Sequence, residues 1–165
     1  MEQNGFAGKH IMMDCQVKDS KVSKLSDIEN VYKFFTKTTE LLGMTLISPP
    51  LIVEFPFSNE MHRFVDNLLK EGVKSKYLDF AVHEFERKNK EEGGVSGLAL
   101  WAESHQSFHS WTEQNYFSID CFSCKNFDHQ ATINFIKDYF IVSSASISIV
   151  KRYTNKPHEI ETAVI

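Results

Sequence analysis

The spacing of apolar positions along the chain changes several times, and each change marks an element. A polar start at residues 1–8 is expected to fray, and residues 10–15 (HIMMDC) form a short apolar run that predicts a strand. Ser26 and Glu29 make an S-x-x-E capping box. Behind it Ile28, Val31, Phe35, Thr38 and Leu42 recur at spacings of three and four, which predicts an amphipathic helix ended by Gly43. Residues 44–55 (MTLISPPLIVEF) are β-branched and apolar, but Pro49 and Pro50 interrupt them, so a strand there belongs at a sheet edge or a bulge. From 58 to 92 charge is dense. Met61, Phe64, Val65, Leu68 and Leu69 return at helical spacing, as do Tyr77, Phe80, Ala81 and Phe85. Two amphipathic helices are expected, as an insertion at about 57–92 and not as a separate domain, because so short a segment rarely buries a core by itself.

After the KNKEEGG turn the texture is that of strands. GVSGLALWAES is apolar on both faces, as a central strand should be; HQSFHSW continues it, TEQN turns, and YFSIDCFSC is a further strand. Asp128 caps a second helix carrying Ala131, Phe135, Ile136 and Phe140. Residues 141–150 (IVSSASISIV) form the last strand, and the polar tail from Lys151 is expected to be loose. The order predicts an α+β fold in one domain, 1–165, with a mainly antiparallel sheet and helices on one face. The other face needs a cover, and a second subunit is one way to supply it.

Composition narrows the classes. The 165 residues are 42% hydrophobic and 24% charged, the range of a folded globular domain. A net charge of -4 argues against a nucleic-acid partner, whose phosphates demand basic density. No apolar run approaches the roughly 18 residues of a membrane helix. The opening MEQNGFAGKHIMMDC lacks an apolar export core, so the expected location is cytoplasmic and the three cysteines are expected as reduced thiols.

Reactive side chains concentrate between Ser96 and Cys124. A serine hydrolase would place its nucleophile in G-x-S-x-G between strand and helix. GVSGL around Ser96 lacks the final glycine and opens a strand. A metal centre could draw on His105 and His109, which share a strand face, and on Cys121 and Cys124. A C-x-x-C inside a strand points its sulfurs to opposite faces, however, and no second pair completes four ligands, so no metal is expected. The plain structural alternative is a polar strand face with the cysteines as small fillers.

A further reading comes from resemblance. GVSGLALWAESHQSFHSWTEQNYFSIDCFSC closely resembles the core of the prokaryotic S-adenosylmethionine decarboxylase proenzymes, with a pattern near GVSG-(apolar)-AESH-x-S-x-H-(T/S)-aromatic-P-E and then D-x-F-(S/T)-C. KHIMMDC and LLGMTLISPP resemble that family's opening strand and its first helix end. Thr112 stands where the family usually has proline, and the insertion replaces what is commonly a short loop. The resemblance implies a two-layer α/β sandwich that pairs into an αββα dimer. It also implies self-cleavage between Glu103 and Ser104 into a β chain, 1–103, and an α chain, 104–165. Ser104 would become a covalent pyruvoyl group, the electron sink that no ordinary side chain supplies, working through a Schiff base with the substrate amine. His109 matches the base of the processing reaction and Ser96 a residue that hydrogen-bonds its intermediate. Cys124 matches the acid that returns a proton to the substrate carbon, and Glu113 a carboxylate for the ribose hydroxyls. Phe55 is a candidate aromatic wall for the sulfonium and adenine. The implied activity is decarboxylation of S-adenosylmethionine to the aminopropyl donor of spermidine synthesis. The alternatives are a pyruvoyl decarboxylase of arginine or ornithine on the same scaffold, or an unprocessed, non-catalytic homologue.

Overall fold

A computed structural model describes residues 5–55, 67–74 and 93–165. In chain order the elements are β1 (Phe6–Val17), α1 (Ile28–Leu42), β2 (Leu51–Phe55), β3 (Gly94–Trp101), β4 (Ser104–Trp111), a short 3-10 turn (Thr112–Gln114), β5 (Tyr116–Ser123), α2 (His129–Phe140), β6 (Val142–Tyr153) and β7 (Glu159–Val164). The strands form one sheet in the order β2-β3-β4-β5-β1-β6-β7, and every pairing is antiparallel. Both helices lie on the same face, which makes an α+β two-layer arrangement.

The period of two along the strands builds the core. Ile11, Met13 and Cys15 of β1, Val95 and Ala99 of β3, Phe108 of β4, Phe117, Ile119 and Cys121 of β5, and Ile147 of β6 are all buried on the helix-covered face. From above, α1 supplies Val31, Phe34 and Phe35, and α2 supplies Ile133, Ile136 and Phe140. Phe140 sits at the centre of an aromatic cluster, its ring centroid 4.9 Å from Phe34, 5.3 Å from Phe108 and 4.8 Å from Phe117. Truncating such a ring to alanine costs about 3–5 kcal/mol. The glycines of GVSG have steric reasons. A Cβ on Gly94 would lie 1.9 Å from the Ser110 carbonyl oxygen, and one on Gly97 would lie 2.5 Å from the Phe35 ring.

Several expectations are corrected. The cap of α1 is Asp27, whose carboxylate accepts the Asn30 N–H, and not a box built on Ser26; Ile28, expected on the buried face, is exposed. Gly43 does end the helix, in the left-handed conformation. The chain is ordered into β1 from Phe6, where fraying was expected, because β1 lies between β5 and β6 and is paired on both edges. The tail from Lys151 is not loose. It completes β6 and returns as β7, held by the ladder to β6 and by Lys151–Glu161 and Lys156–Glu159 ion pairs at 3.1 and 2.8 Å. Six-residue strands with every side chain exposed carry no burial pattern, so periodicity could not reveal β7. The expected edge strand after Pro50 is present as β2.

The most consequential correction concerns GVSGLALWAES-HQSFHSW. It is not one extended run but a hairpin, β3 and β4, joined through Ala102 and Glu103, with Trp101 opposite Ser104. The insertion expected at 57–92 lies outside the described residues except for 67–74, where residues 67–70 are helical. Among the described residues no helix is long and apolar enough to cross a membrane.

Candidate active site

The tip of the β3–β4 hairpin carries the Glu103–Ser104 bond. Two-residue hairpin loops favour turns with positive φ at the central residues. Neither Ala102 nor Glu103 adopts one, and the loop is gripped from outside instead. Ala102 N donates to Thr45 O at 2.9 Å, and Thr45 N donates to Glu103 Oε2 at 2.9 Å. Thr45 Oγ1 donates to Glu103 Oε1 at 3.2 Å. The Thr45 N–H is the main cause of a Glu103 carboxyl pKa below its ordinary value.

The Glu103 carbonyl oxygen accepts two hydrogen bonds from one residue. Cys124 N donates at 3.1 Å and Cys124 Sγ donates at 3.1 Å. Cys124 is placed there because β5 ends at Ser123, the partner of Ser104, and the next residue turns over the hairpin tip. The two sulfurs of the C-x-x-C therefore part company: Cys121 is buried, and burial pushes its thiol up to about 12, whereas Cys124 is exposed. Cys124 is thus no core filler. Ser104 Oγ lies 3.3 Å from His105 Nδ1. This arrangement sets a hydroxyl beside the carbonyl of the preceding residue, with two donors on that carbonyl oxygen.

A second group lies at the far end of the same hairpin. Ser96 on β3 stands opposite His109 on β4, and Ser96 Oγ is 2.6 Å from His109 Nδ1. Burial holds the His109 pKa below its ordinary value, so the neutral imidazole dominates at pH 7. The His109 ring packs on Trp111 at 4.1 Å, and Trp111 packs on Tyr116 at 5.1 Å. The Tyr116 hydroxyl donates to Asp14 at 2.5 Å, and burial followed by that carboxylate pushes its pKa up to about 12. Glu113 is exposed on the 3-10 turn just beyond. Phe55 ends β2 opposite Gly94, which puts its backbone at this end too. Thr112, which replaces the usual proline, has its own function: its N–H and Oγ1 both donate to Gly93 O, at 2.9 and 2.8 Å, tying the turn to the start of β3.

The two groups do not meet. His109 is five positions beyond Ser104 on a single strand, which at strand rise separates the Cα atoms by about 17 Å and, the number being odd, points them to opposite faces. Ser96 and His109 share the sheet face that neither α1 nor α2 covers. Sequence reasoning missed Thr45. Thr45 carries no motif and reaches the site only because residues 45–47 run beside the end of β3, through the Leu46–Trp101 bridge. His105, weighed from the sequence only as a metal ligand beside His109, instead stands next to the Ser104 hydroxyl. Among the described residues no group of three or more His, Cys, Asp or Glu side chains could hold a metal ion.

Comparison with known proteins gives the family and the fold. The sequence profile described as S-adenosylmethionine decarboxylase matches residues 57–153, a span that includes the expected insertion and Ser96, Glu103, Ser104, His109, Glu113 and Cys124, but not Thr45 or Phe55. The S-adenosylmethionine decarboxylase proenzyme of Pyrococcus horikoshii is 38% identical over 60 residues, 36% of this chain and 43% of that protein. The Pyrococcus abyssi proenzyme is 34% identical over 73 residues, 44% of this chain and 52% of that protein, so the chain spans about half the length of these relatives. The Bacillus velezensis proenzyme is 32% identical over 103 residues, 60% of this chain and 76% of that protein. In fold, the crystal structure of the adenosylmethionine decarboxylase from Aquifex aeolicus is similar at a TM-score of 0.59 and 16% identity, covering 93% of this chain and 97% of the other. The chain belongs to the S-adenosylmethionine decarboxylase family.

Proposed function

We propose that the protein is a self-processing decarboxylase of S-adenosylmethionine, acting as one domain that cleaves itself into residues 1–103 and 104–165. The observation that carries this reading is the pair of Cys124 donors on the Glu103 carbonyl, with the Ser104 hydroxyl on the next residue. Attack of Ser104 Oγ on that carbonyl carbon breaks the Glu103–Ser104 amide and forms an ester, and the Cys124 N–H and S–H steady the charge that develops on the oxygen. A base then removes the Cα hydrogen of residue 104. The ester C–O bond breaks and Glu103 leaves as a free carboxylate. The dehydroalanine left behind tautomerises, takes up water and releases ammonia, leaving a ketone at residue 104. Thr45, already bound to the Glu103 side chain, is suited to hold the departing segment.

His109 is the proposed base, because a neutral imidazole accepts a proton near pH 7. Ser96 fixes its Nδ1. Both stand about 17 Å from Ser104 along the strand, so the base that serves one chain's Ser104 comes from a second copy. The sheet face that carries Ser96 and His109, which neither α1 nor α2 covers, is the surface through which two copies would pair, giving an αββα homodimer with each site assembled from both chains.

The residues at the hairpin tip fit a pyruvoyl group made from Ser104, since a serine follows a carbonyl that already has its donors. Such a group supplies the electron sink for loss of CO2. Cys124 is suited to return a proton to the substrate carbon, its thiol already standing at the hairpin tip on the Glu103 carbonyl. Glu113 is the proposed acceptor for the ribose hydroxyls, and Phe55 an aromatic wall. The product is the aminopropyl donor for spermidine synthesis, formed in the cytoplasm. Family membership and the retained Ser96, Glu103, Ser104, His109, Glu113 and Cys124 favour this substrate over arginine or ornithine, and favour an active chain over a silent homologue.

Intact mass under denaturing conditions tests the processing. Fragments of about 12 and 7 kDa are expected, scaled from chain length, the smaller lighter by one ammonia than hydrolysis would leave it. Release of labelled CO2 from carboxyl-labelled S-adenosylmethionine tests the substrate. An uncut chain, or a cut chain that releases none, sinks the corresponding half of the proposal.

A further inference from the structure

Gln106 is the one residue among those described whose buried side-chain nitrogen and oxygen both lack a hydrogen-bond partner. It is fully buried on β4, with Ala99 of β3 on one side and Cys121 of β5 on the other. Buried amides are ordinarily satisfied, and leaving one unpaired costs stability, so the exception calls for a reason. An apolar side chain of the same size would fill the position without that cost.

Its place in the fold supplies the reason. Gln106 lies two residues along β4 from Ser104, on the same strand face, a separation of about 6.6 Å at strand rise. A glutamine side chain and an oxygen on residue 104 can close that gap between them. Among the described residues, the polar side chains nearest the hairpin tip are already engaged. Ser123, opposite Ser104, donates to Met44 Sδ and accepts the Lys125 N–H. Glu103 is drawn outward by Thr45 and Cys124, and the Ser104 hydroxyl lies by His105.

We propose that Gln106 is a positioning residue for residue 104, its carboxamide held without a partner in the uncut chain and donating to the oxygen that residue 104 presents once the Glu103–Ser104 bond is broken. The proposal rests on the processing reading above. Cleavage frees the start of β4 from the hairpin, and a donor fixed by the core two residues further in then holds the new N-terminus in place. The buried amide destabilises the precursor and is satisfied in the product, so it also biases the chain toward cleavage.

The test compares thermal midpoints in two backgrounds. In uncut Ser104→Ala protein, Gln106→Leu should raise the midpoint by about 2–4 °C, the amide being replaced by an apolar side chain of similar size. In fully processed protein the same substitution should lower the midpoint, because there the wild-type amide has gained its partner, and kcat should fall about tenfold with KM little changed. Gln106→Met, unbranched and adaptable, repeats the comparison should the leucine pack badly. The Gln106 side-chain N–H resonances should move downfield and exchange more slowly in processed protein than in Ser104→Ala. Equal stabilisation of both forms, or resonances that do not change, overturns the proposal, as does parallel loss of stability in both. Wild-type protein that never cleaves sinks the processing reading as well, whereas cleaved protein with indifferent Gln106 variants sinks this inference alone.

Discussion

The two ends of the β3–β4 hairpin differ in kind. At the tip, Glu103 and Ser104 are surrounded by donors, and every group that grips the loop comes from another part of the chain: Thr45 before β2 and Cys124 after β5. At the base, Ser96 and His109 form a close cross-strand pair backed by aromatic rings on the face that neither α1 nor α2 covers. At the tip the Ser104 hydroxyl follows a carbonyl that carries two donors, and among the described residues the imidazole beside it is that of His105. At the base of the hairpin the His109 imidazole is held by Ser96. The two groups lie a strand's length apart and on opposite faces, and the physical cause is the fixed rise and alternation of a β-strand.

The largest expected effect comes from breaking each half in a different copy. Ser104→Ala and His109→Ala chains should each remain uncut when expressed alone, with cleavage slowed by at least about a thousandfold. Co-expressed, they should form mixed dimers in which the His109→Ala chain, with its own Ser104, is cut by the partner's imidazole. Denaturing mass spectra of the mixture read this directly, and no recovery would mean that both halves act within one chain.

Next in size is Cys124→Ala. It removes the S–H donor from the Glu103 carbonyl but keeps the N–H, so cleavage should slow by about tenfold while decarboxylation by the processed enzyme falls much further. Equal losses in the two assays would show that the thiol has no separate proton-returning role.

The pH profile sharpens the base. Burial lowers the His109 pKa from 6.5, so the cleavage rate should be flat above pH 6.5 and fall as pH drops through the lower, folded value. The same shift makes the neutral ring's contribution to stability fully present above pH 6.5 and lost as pH falls through the folded pKa. Denaturant midpoints measured across that window should move in the same direction, and a rate that climbs only above pH 7 would contradict the assignment.

Smaller still are two single bonds, one at each end. Thr45→Val removes the Oγ1 bond to Glu103 and keeps the N–H bond, which should slow cleavage by only a few-fold, equivalent to about 1 kcal/mol. Thr112→Pro, the usual family residue, removes both bonds to Gly93 O. It should cost about 1–2 kcal/mol in denaturant unfolding and leave cleavage at the tip nearly unchanged.

Much of this was legible along the chain. The three-and-four spacing of α1 and α2 reports a buried face directly, because a helix that packs on a sheet needs one apolar stripe, and Gly43 and Asp128 stop and start those helices as their chemistry requires. The residue types between Ser96 and Cys124 mark that stretch of the chain as the densest in reactive side chains. Periodicity could not see β7, which buries nothing, nor the turn at Ala102–Glu103, which has neither glycine nor proline to mark it. Parity within one strand did separate Cys121 from Cys124, but only the end of β5 shows that Cys124 folds over the hairpin tip.

The sequence by itself determined which side chains are available and which helices form, since those depend on residues near one another along the chain. Tertiary structure alone decided that Thr45 and Cys124 meet at Glu103, that Ser96 and His109 lie a strand's length away, and that Gln106 is buried without a partner. Each of those depends on register between strands distant in sequence, and a strand's register is set by the packing of the whole sheet against its helices.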